Sequence, residues 1–162
     1  MKKEKFFLSI IILAFIDQLS KLFIIINKNN FPIVIINDAL EITYCENKGI
    51  AFGIGDGLTL LISIVTAIIM GLILVLIYKN YNKIEKKLLI GAALLISGGL
   101  GNFLDRIFRR HVVDFIYFKL INFPVFNFAD ICIVVGVIII GIGFILADRG
   151  ENIEKNNSTN KW

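Results

Sequence analysis

Residues 98–130 read GGLGNFLDRIFRRHVVDFIYFKLINFPVFNFAD, from Gly98 to Asp130. Here a very apolar chain gathers Asn102, Asp105, Arg106, Arg109, Arg110, Asp114, Asn127, Asp130 and its single histidine, His111. Long hydrophobic runs flank the stretch on both sides. Charge next to lipid is costly, so an ionisable side chain in such a sequence has either a pairing role or a chemical one. The stretch therefore marks where one membrane-crossing segment ends and the next begins, and where any chemistry is to be sought.

The surrounding composition agrees. Of the 162 residues 57% are hydrophobic and only two are proline, with a mean hydropathy of +0.80. A water-soluble domain would not carry so much apolar sequence in unbroken runs, and the length suits one membrane domain. Four apolar segments each approach the roughly 20 residues that cross a bilayer as a helix: about Phe6–Ile26, Leu58–Tyr78, Leu88–Leu104 and Asp130–Ala147. The first follows Lys2, Lys3 and Lys5 as a signal peptide would. It lacks a small-x-small cleavage site and carries Asp17 and Lys21, so it reads as a retained helix. Residues 1–148 form the membrane domain in this reading. Residues 149–162 form a polar cytoplasmic tail, expected to be disordered from ENIEKNNSTNKW onward.

The net charge of +4 is modest. Its basic residues sit at the ends of the apolar runs, which fits membrane topology and not a nucleic-acid partner. Lys2, Lys3, Lys5, Lys79, Lys83, Lys86, Lys87, Arg149, Lys155 and Lys161 share one side; the other has Lys28, Lys48, Arg109, Arg110 and Lys119. The positive-inside rule places both termini in the cytoplasm. Two longer loops, about Asn27–Gly57 and Ile107–Ala129, then face outward. In the first, FPIVII and LEITYCE flank a turn at Asn37–Asp38, and Leu40, Ile42 and Tyr44 alternate with Glu41 and Thr43, the pattern of a small half-buried sheet. NKGIAFGIGDG follows, with glycines that would let a ligand approach the backbone closely. Cys45 and Cys132 make neither a metal-ligand spacing nor a disulfide framework.

Each polar group has a structural reading beside any functional one. Asp17 and Lys21, in DQLSK, lie at i and i+4 with the acid first, the better order for an ion pair. The pair is expected to be structural, with Lys21 reaching toward the outer headgroups. Asn102 and Arg106 share a helix face, and Asp105 meets Arg109 one turn on. Gly98, Gly99 and Gly101 leave room for a neighbouring helix. Asn102 and Arg106 either bond between helices or line a polar pocket, and spacing leaves both open.

His111 is too far from the nearest serine for a serine mechanism, since a continuing helix would separate it from Ser97 by roughly 21 Å. No HExxH pattern is present. Asp114 is placed to answer Arg110 four residues earlier, and Asn127 with Asp130 resembles a capping box at a helix start. Spacing alone does not choose among the acids. Two carboxylates brought together, however, share one proton, so one can serve as base and the other as acid.

DQLSK, NKGIAFG, GGLGNFLDR, HVVDF and FNFAD together, in this order and spacing, resemble the lipoprotein signal peptidases, the type II signal peptidases of bacteria. The match spans nearly the whole chain except the tail. The resemblance implies an all-α membrane protein of four transmembrane helices with a small extracytoplasmic β-cradle. It implies an aspartic endopeptidase that removes signal peptides from diacylglyceryl-modified prolipoproteins, cutting before the lipidated cysteine. Its partners would be that substrate and membrane lipid. It would act as a monomer in the cytoplasmic membrane, with the site at the extracytoplasmic face and no metal or organic cofactor.

By motif, Asp114 and Asp130 would be the catalytic pair. Asn47, Gly49, Asn102, Arg106, Asn127 and Ala129 would bind substrate or support the site, and Asp17 and Lys21 would be a structural polar pair. Two departures are visible: Ile50 stands where the family commonly has alanine, and Lys48 replaces a small or neutral residue. The Phe115–Phe126 segment, rich in Phe and Tyr, is expected to lie along the interface as a lid. The rival classes are a small ion or proton transporter using Asp17, Lys21, Asp105 and Arg106, and a non-catalytic membrane subunit. Carriers usually place such groups near the bilayer midplane, whereas here they gather toward one face.

Overall fold

The computed structural model describes residues 1–49 and 58–159, with side chains through residue 146. Four long helices carry the chain: α1 Lys3–Ile26, α2 Thr59–Asn80, α3 Lys86–Arg109 and α4 Phe128–Thr159. Three strands sit between them: β1 Ile33–Ile36, β2 Leu40–Asn47 and β3 Val112–Phe118. All four helices are long and apolar enough to cross a membrane, with spans at Lys3–Ile26, Thr59–Lys83, Lys86–Arg109 and Phe128–Leu146. The third helix begins before Leu88 and outruns the expected end at Leu104 by more than a turn, because its polar residues point into the bundle and do not end the helix. The Ile50–Gly57 part of the expected glycine-rich loop lies outside the described residues.

α3 is the centre of the bundle and packs against α1, α2 and α4. Its glycines each admit a different neighbour. A Cβ at Gly98 would fall on the Ala129 carbonyl oxygen of α4, and Gly99 and Gly101 face Met70 of α2 and Asp17 of α1. From the other side, a Cβ at Gly136 would meet the Gly91 oxygen at 2.6 Å and the Leu95 nitrogen at 2.8 Å. Helices in lipid gain little from hydrophobic burial against one another, and such close backbone approach provides the packing instead.

Outside and inside are exchanged relative to a soluble protein. Ile11, Phe15, Leu60, Ile68, Leu72 and Phe144 are exposed, while Asp17, Lys21, Asn102, Asp105, Arg106, Asp114 and Asn127 are buried. Along α1 one stripe runs Phe6, Ile10, Ala14, Asp17, Lys21, Ile24, all buried. Its apolar start joins Tyr81, Leu89 and Ile96 in one cluster, and its end, Ile24, joins Val113 and Phe115 in another. The charged turn of the stripe lies between them.

The sheet is antiparallel in the order β1-β2-β3. The β1–β2 turn falls at Asn37–Asp38 as the sequence predicts, with Asp38 at φ 56° in the left-handed region that Asp tolerates. β3 was not expected. Arg110, at φ 67°, ends α3 and returns the chain so that Asn47 pairs with Val112 and Cys45 with Asp114. One sequence expectation falls with it. Asp114 does not answer Arg110, because the helix that would align them has ended. The two ends of the Phe115–Phe126 segment are joined: the Phe115 and Ile116 N–H groups donate to the Phe126 oxygen at 2.9 and 2.8 Å, and Phe126 N–H returns a bond to Ile116 at 3.0 Å. The tail departs too, since α4 continues to Thr159. Extending an existing helix avoids the nucleation cost, and no proline interrupts residues 147–159.

Candidate active site

The polar residues collect at one end of the bundle, where α1 and α3 finish, α4 begins and the sheet is attached. Their base is a buried ionic group. Lys21 Nζ lies 2.9 Å from Asp17 Oδ2 and 2.9 Å from Asp105 Oδ2, all three side chains being at most 1% exposed. Arg109 closes on Asp105 from one turn later and donates to Gln18 Oε1 at 2.9 Å. Gln18 Nε2 in turn donates to Asp17, Asp105 and the Gly101 oxygen. The Asp17–Lys21 and Asp105–Arg109 pairs follow the sequence spacing. The direction of Lys21 does not: it points inward, since α3 offers Asp105 and Asn102 at its level and an ammonium paired there need not reach water.

This group holds the elements that carry the two remaining acids. Asp17 Oδ1 accepts from Ala129 N–H at 3.0 Å, pinning the start of α4, and Asp105 Oδ2 accepts from Val113 N–H at 3.2 Å, pinning β3 beside Asp114. The α4 start is a reciprocal capping box. Asp130 N–H donates to Asn127 Oδ1 at 3.0 Å, and Asn127 N–H donates to Asp130 Oδ2 at 3.1 Å. Each side chain thereby satisfies an otherwise orphaned backbone donor.

Asp114 and Asp130 are joined through asparagines. Asn127 Nδ2 donates to Asp114 Oδ1 at 2.6 Å while its backbone holds Asp130. Asn47 Nδ2 donates to Asp114 Oδ2 at 2.9 Å, and Asn102 Nδ2 to Asp130 Oδ1 at 2.8 Å. All four carboxylate oxygens thus receive an N–H. Asn47 Oδ1 accepts the Gly49 N–H at 3.0 Å, and Arg106 donates to the Gly49 oxygen at 3.1 Å and the Asn102 oxygen at 3.3 Å. The remaining guanidinium nitrogen, Nε, is buried without a partner among the described residues.

Asp114 is 2% exposed. Burial pushes its carboxyl up to about 6; the negative charge of Asp130 adds to the rise, and the donors Asn47 and Asn127 and the Lys21 charge oppose it. Such a group holds a proton at mildly acidic pH, where an ordinary aspartate would not. One buried carboxyl that readily holds a proton, beside a second carboxylate, is the arrangement needed to protonate one atom while deprotonating another.

The structure brings together Asn47, Gly49, Asn102, Arg106, Asn127 and Ala129 with both acids. His111 stands apart, its Nδ1 3.8 Å from Glu46 and the Ser97 hydroxyl bonded to the Leu94 oxygen. Gln18 was missed by sequence reading; its only signal was a place inside DQLSK between two charges. Among the described residues no three His, Cys, Asp or Glu side chains are grouped as metal ligands.

The comparisons with known proteins bear on this same part of the chain. The family model described as signal peptidase (SPase) II matches residues 9–146, which run from α1 to the end of the α4 span. A lipoprotein signal peptidase of Clostridium acetobutylicum is 42% identical over 137 residues, covering 82% of this chain and 88% of that one. One of Fusobacterium nucleatum is 37% identical over 146 residues, covering 89% and 88%. Among solved structures, a bacterial membrane enzyme determined by the in meso method at 2.3 Å resolution superposes with a TM-score of 0.79 at 31% identity, covering 98% of this chain and 93% of the other. Another, at 1.9 Å, gives 0.76 at 32% identity, covering 88% and 93%. With four spanning helices, a three-stranded sheet and this match from end to end of the bundle, the chain belongs to the signal peptidase II family.

Proposed function

We propose that this multi-pass membrane peptidase removes signal peptides from diacylglyceryl-modified prolipoproteins by an aspartic mechanism, with Asp114 and Asp130 as its catalytic pair. The observation that carries the reading is the double tether of Asn127, whose side chain holds Asp114 while its backbone holds Asp130. Two acids so linked act on one water and one carbonyl. The ionised member takes a proton from water as the oxygen adds to the carbonyl carbon preceding the lipidated cysteine. The protonated member gives its proton to the carbonyl oxygen. The tetrahedral diol then collapses: the C–N bond breaks, the cysteine nitrogen takes up a proton from the pair, one diol hydroxyl returns its proton to the pair as the C=O forms, and a carboxyl and an amine are released. The pair ends with one shared proton, as it began. Arg106, whose positive charge acts on both acids, would help hold the substrate beside them.

Depth and orientation suit that substrate. Its acyl chains stay in the bilayer, so the bond must be cut near the surface, and the acids stand where helices end. The basic ends of the chain put the termini in the cytoplasm and the site on the extracytoplasmic face. β1, wholly apolar and wholly exposed, with Phe118, Leu120 and Ile121, suits contact with interfacial lipid. The chain acts as a monomer in this reading, without nucleic acid or cofactor. Of the charges a transport reading would use, Asp17, Lys21 and Asp105 are paired with one another and Arg106 is bonded to the Asn102 and Gly49 oxygens, all at one end of the bundle, an arrangement that does not favour a path across it.

The test uses purified protein in detergent with a synthetic diacylglyceryl-modified prolipoprotein peptide and its unlipidated counterpart. Mass spectrometry should find a new amino terminus at the lipidated cysteine with wild type, and none with Asp114→Asn or Asp130→Asn. Turnover near that of wild type in either variant would overturn the pair.

A further inference from the structure

We propose that Lys21, beyond pairing with Asp17, is a positioning residue that sets the direction of the Asn102 amide and so presents an N–H to Asp130. The inference rests on the reading of Asp114 and Asp130 as the reacting pair and extends it one layer into α1.

The argument starts from what an ammonium can do. Lys21 Nζ has three N–H donors and no acceptor. The structure uses all three: Asp17 Oδ2, Asp105 Oδ2 and Asn102 Oδ1, each at 2.9 Å, in a side chain with no exposure at all. An asparagine amide can turn over and exchange its oxygen for its nitrogen. Facing an ammonium it has one acceptable direction, oxygen inward. With Oδ1 committed to Lys21, Nδ2 faces Asp130 Oδ1 at 2.8 Å. Turned over, the amide would place its nitrogen against Lys21 and its oxygen against the Asp130 carboxylate, donor to donor and acceptor to acceptor.

The Asn127 amide has a lock of its own, as has that of Asn47, whose Oδ1 accepts the Gly49 N–H. Asn127 Oδ1 accepts the Asp130 N–H at 3.0 Å, a backbone donor that also cannot turn over. Asn127 Nδ2 touches Asn102 Oδ1 at 3.1 Å, a weaker second hold. Ion pairing alone does not require the third Lys21 contact, because Asp105 already has Arg109 and Gln18. The third donor is the only one of the three aimed at a neutral group, and that group is the one touching Asp130.

The two roles part in a double-mutant cycle. Cleavage of the lipidated peptide is followed as kcat and KM, with Tm as the measure of folding, for wild type, Lys21→Met, Asn102→Ala and the double variant. Lys21→Met should lower kcat by about 10- to 100-fold, the loss usual when an orienting partner behind a functional group is removed, and leave KM near wild type. The double variant should be no slower than Asn102→Ala alone, because without the amide Lys21 has nothing to orient. Losses that multiply, or unchanged kcat in Lys21→Met, overturn the proposal. Since Lys21→Met strands a buried carboxylate, the same cycle is run on an Asp17→Asn background. There the deletion is charge-balanced and Asp105 keeps Arg109 and Gln18; the expected and refuting results are the same. Wild type that leaves the peptide uncut defeats the peptidase reading and the positioning role with it, whereas cleavage by wild type and undiminished cleavage by Lys21→Met defeat the positioning role alone.

Discussion

Replacing Asp114 with asparagine should destroy cleavage and, at neutral pH, make the protein more stable. The second half follows from burial. A carboxyl whose proton affinity is pushed from the ordinary 3.8 up to about 6 in the fold is one whose ionised form the fold disfavours. With the pKa raised, this group's contribution to stability is fully present below the unfolded value of 3.8 and is lost as pH rises through about 6. At about 1.4 kcal/mol per pKa unit, ionised Asp114 costs about 3 kcal/mol at pH 7.5 and about 1 kcal/mol at pH 4.5. Asparagine has the same shape and does not titrate. It gives up part of the gain, because Asn47 and Asn127 both donate to Asp114 and an amide has only one oxygen; the lost bond is worth about 1 kcal/mol.

That loss is independent of pH, so the pH difference isolates the carboxylate. The stability of Asp114→Asn relative to wild type should grow by about 2 kcal/mol between pH 4.5 and pH 7.5. For a chain of this length that is about 4–8 °C in Tm, taking the relation established for soluble domains. The assay is thermal unfolding in detergent at both pH values, run beside cleavage of the lipidated peptide. A Tm difference that stays constant between the two pH values refutes the claim that the fold holds Asp114 at an energetic cost, and active Asp114→Asn refutes its role.

Three further outcomes follow. Asp130→Asn should also abolish cleavage but lower Tm, because it removes the charge from a capping box and from a helix N-terminus, together worth about 1 kcal/mol; thermal unfolding at pH 7.5 should therefore give the two aspartate variants opposite signs. Gly98→Ala should lower stability by about 1–3 kcal/mol through overpacking, since its methyl would fall on the Ala129 backbone and 2.8 Å from Ile133 Cγ1; Gly71→Ala, with nothing within 4 Å, is its control in the same melt. His111→Gln should keep its cleavage, as His111 faces Glu46 and not the acids; loss of activity with wild-type Tm would bring the histidine back into the chemistry.

What the sequence made legible, and what it did not, divides along the range of the interactions. The spans follow from composition over 20 or so residues. The Asp17–Lys21 and Asp105–Arg109 pairs and the Asn127–Asp130 cap are contacts within one helical turn, and the structure repeats them as read. Lys21 was misdirected because snorkelling is the default only when no counter-charge lies at its depth, and Asp105 is on another helix, 84 residues away. β3 was taken for an outer loop because VVDFIYF suits an interfacial segment as well as a strand. The choice is made by β2, which pairs with it from some 70 residues earlier. Asp114 went to Arg110 for the same reason: local spacing named a partner, and the left-handed Arg110 removed the helix on which that spacing depended. The polar neighbours of the acids are named by motif, but the bonds from Asn47 and Asn127 to Asp114 and from Asn102 to Asp130 are not, since each joins residues distant in sequence.

The buried and half-buried ionisable groups at this end of the bundle fall into two sets. Asp17, Lys21, Asp105 and Arg109 are two acids and two bases, and sum to zero. Asp114, Asp130 and Arg106 sum to −1 if both carboxyls are ionised and to zero if they share one proton. An uncompensated buried charge is expensive, and the raised proton affinity of Asp114 is in the direction that relieves it. The one-proton state is also the one from which a water can be deprotonated and a carbonyl protonated in the same step. The group of four fixes α4 and β3, and through Lys21 and Asn102 it touches Asp130, one of the two acids proposed to react, without lending it net charge. Burial, costly for any single charge, thus raises the share of the one-proton state, which is the majority only below about pH 6.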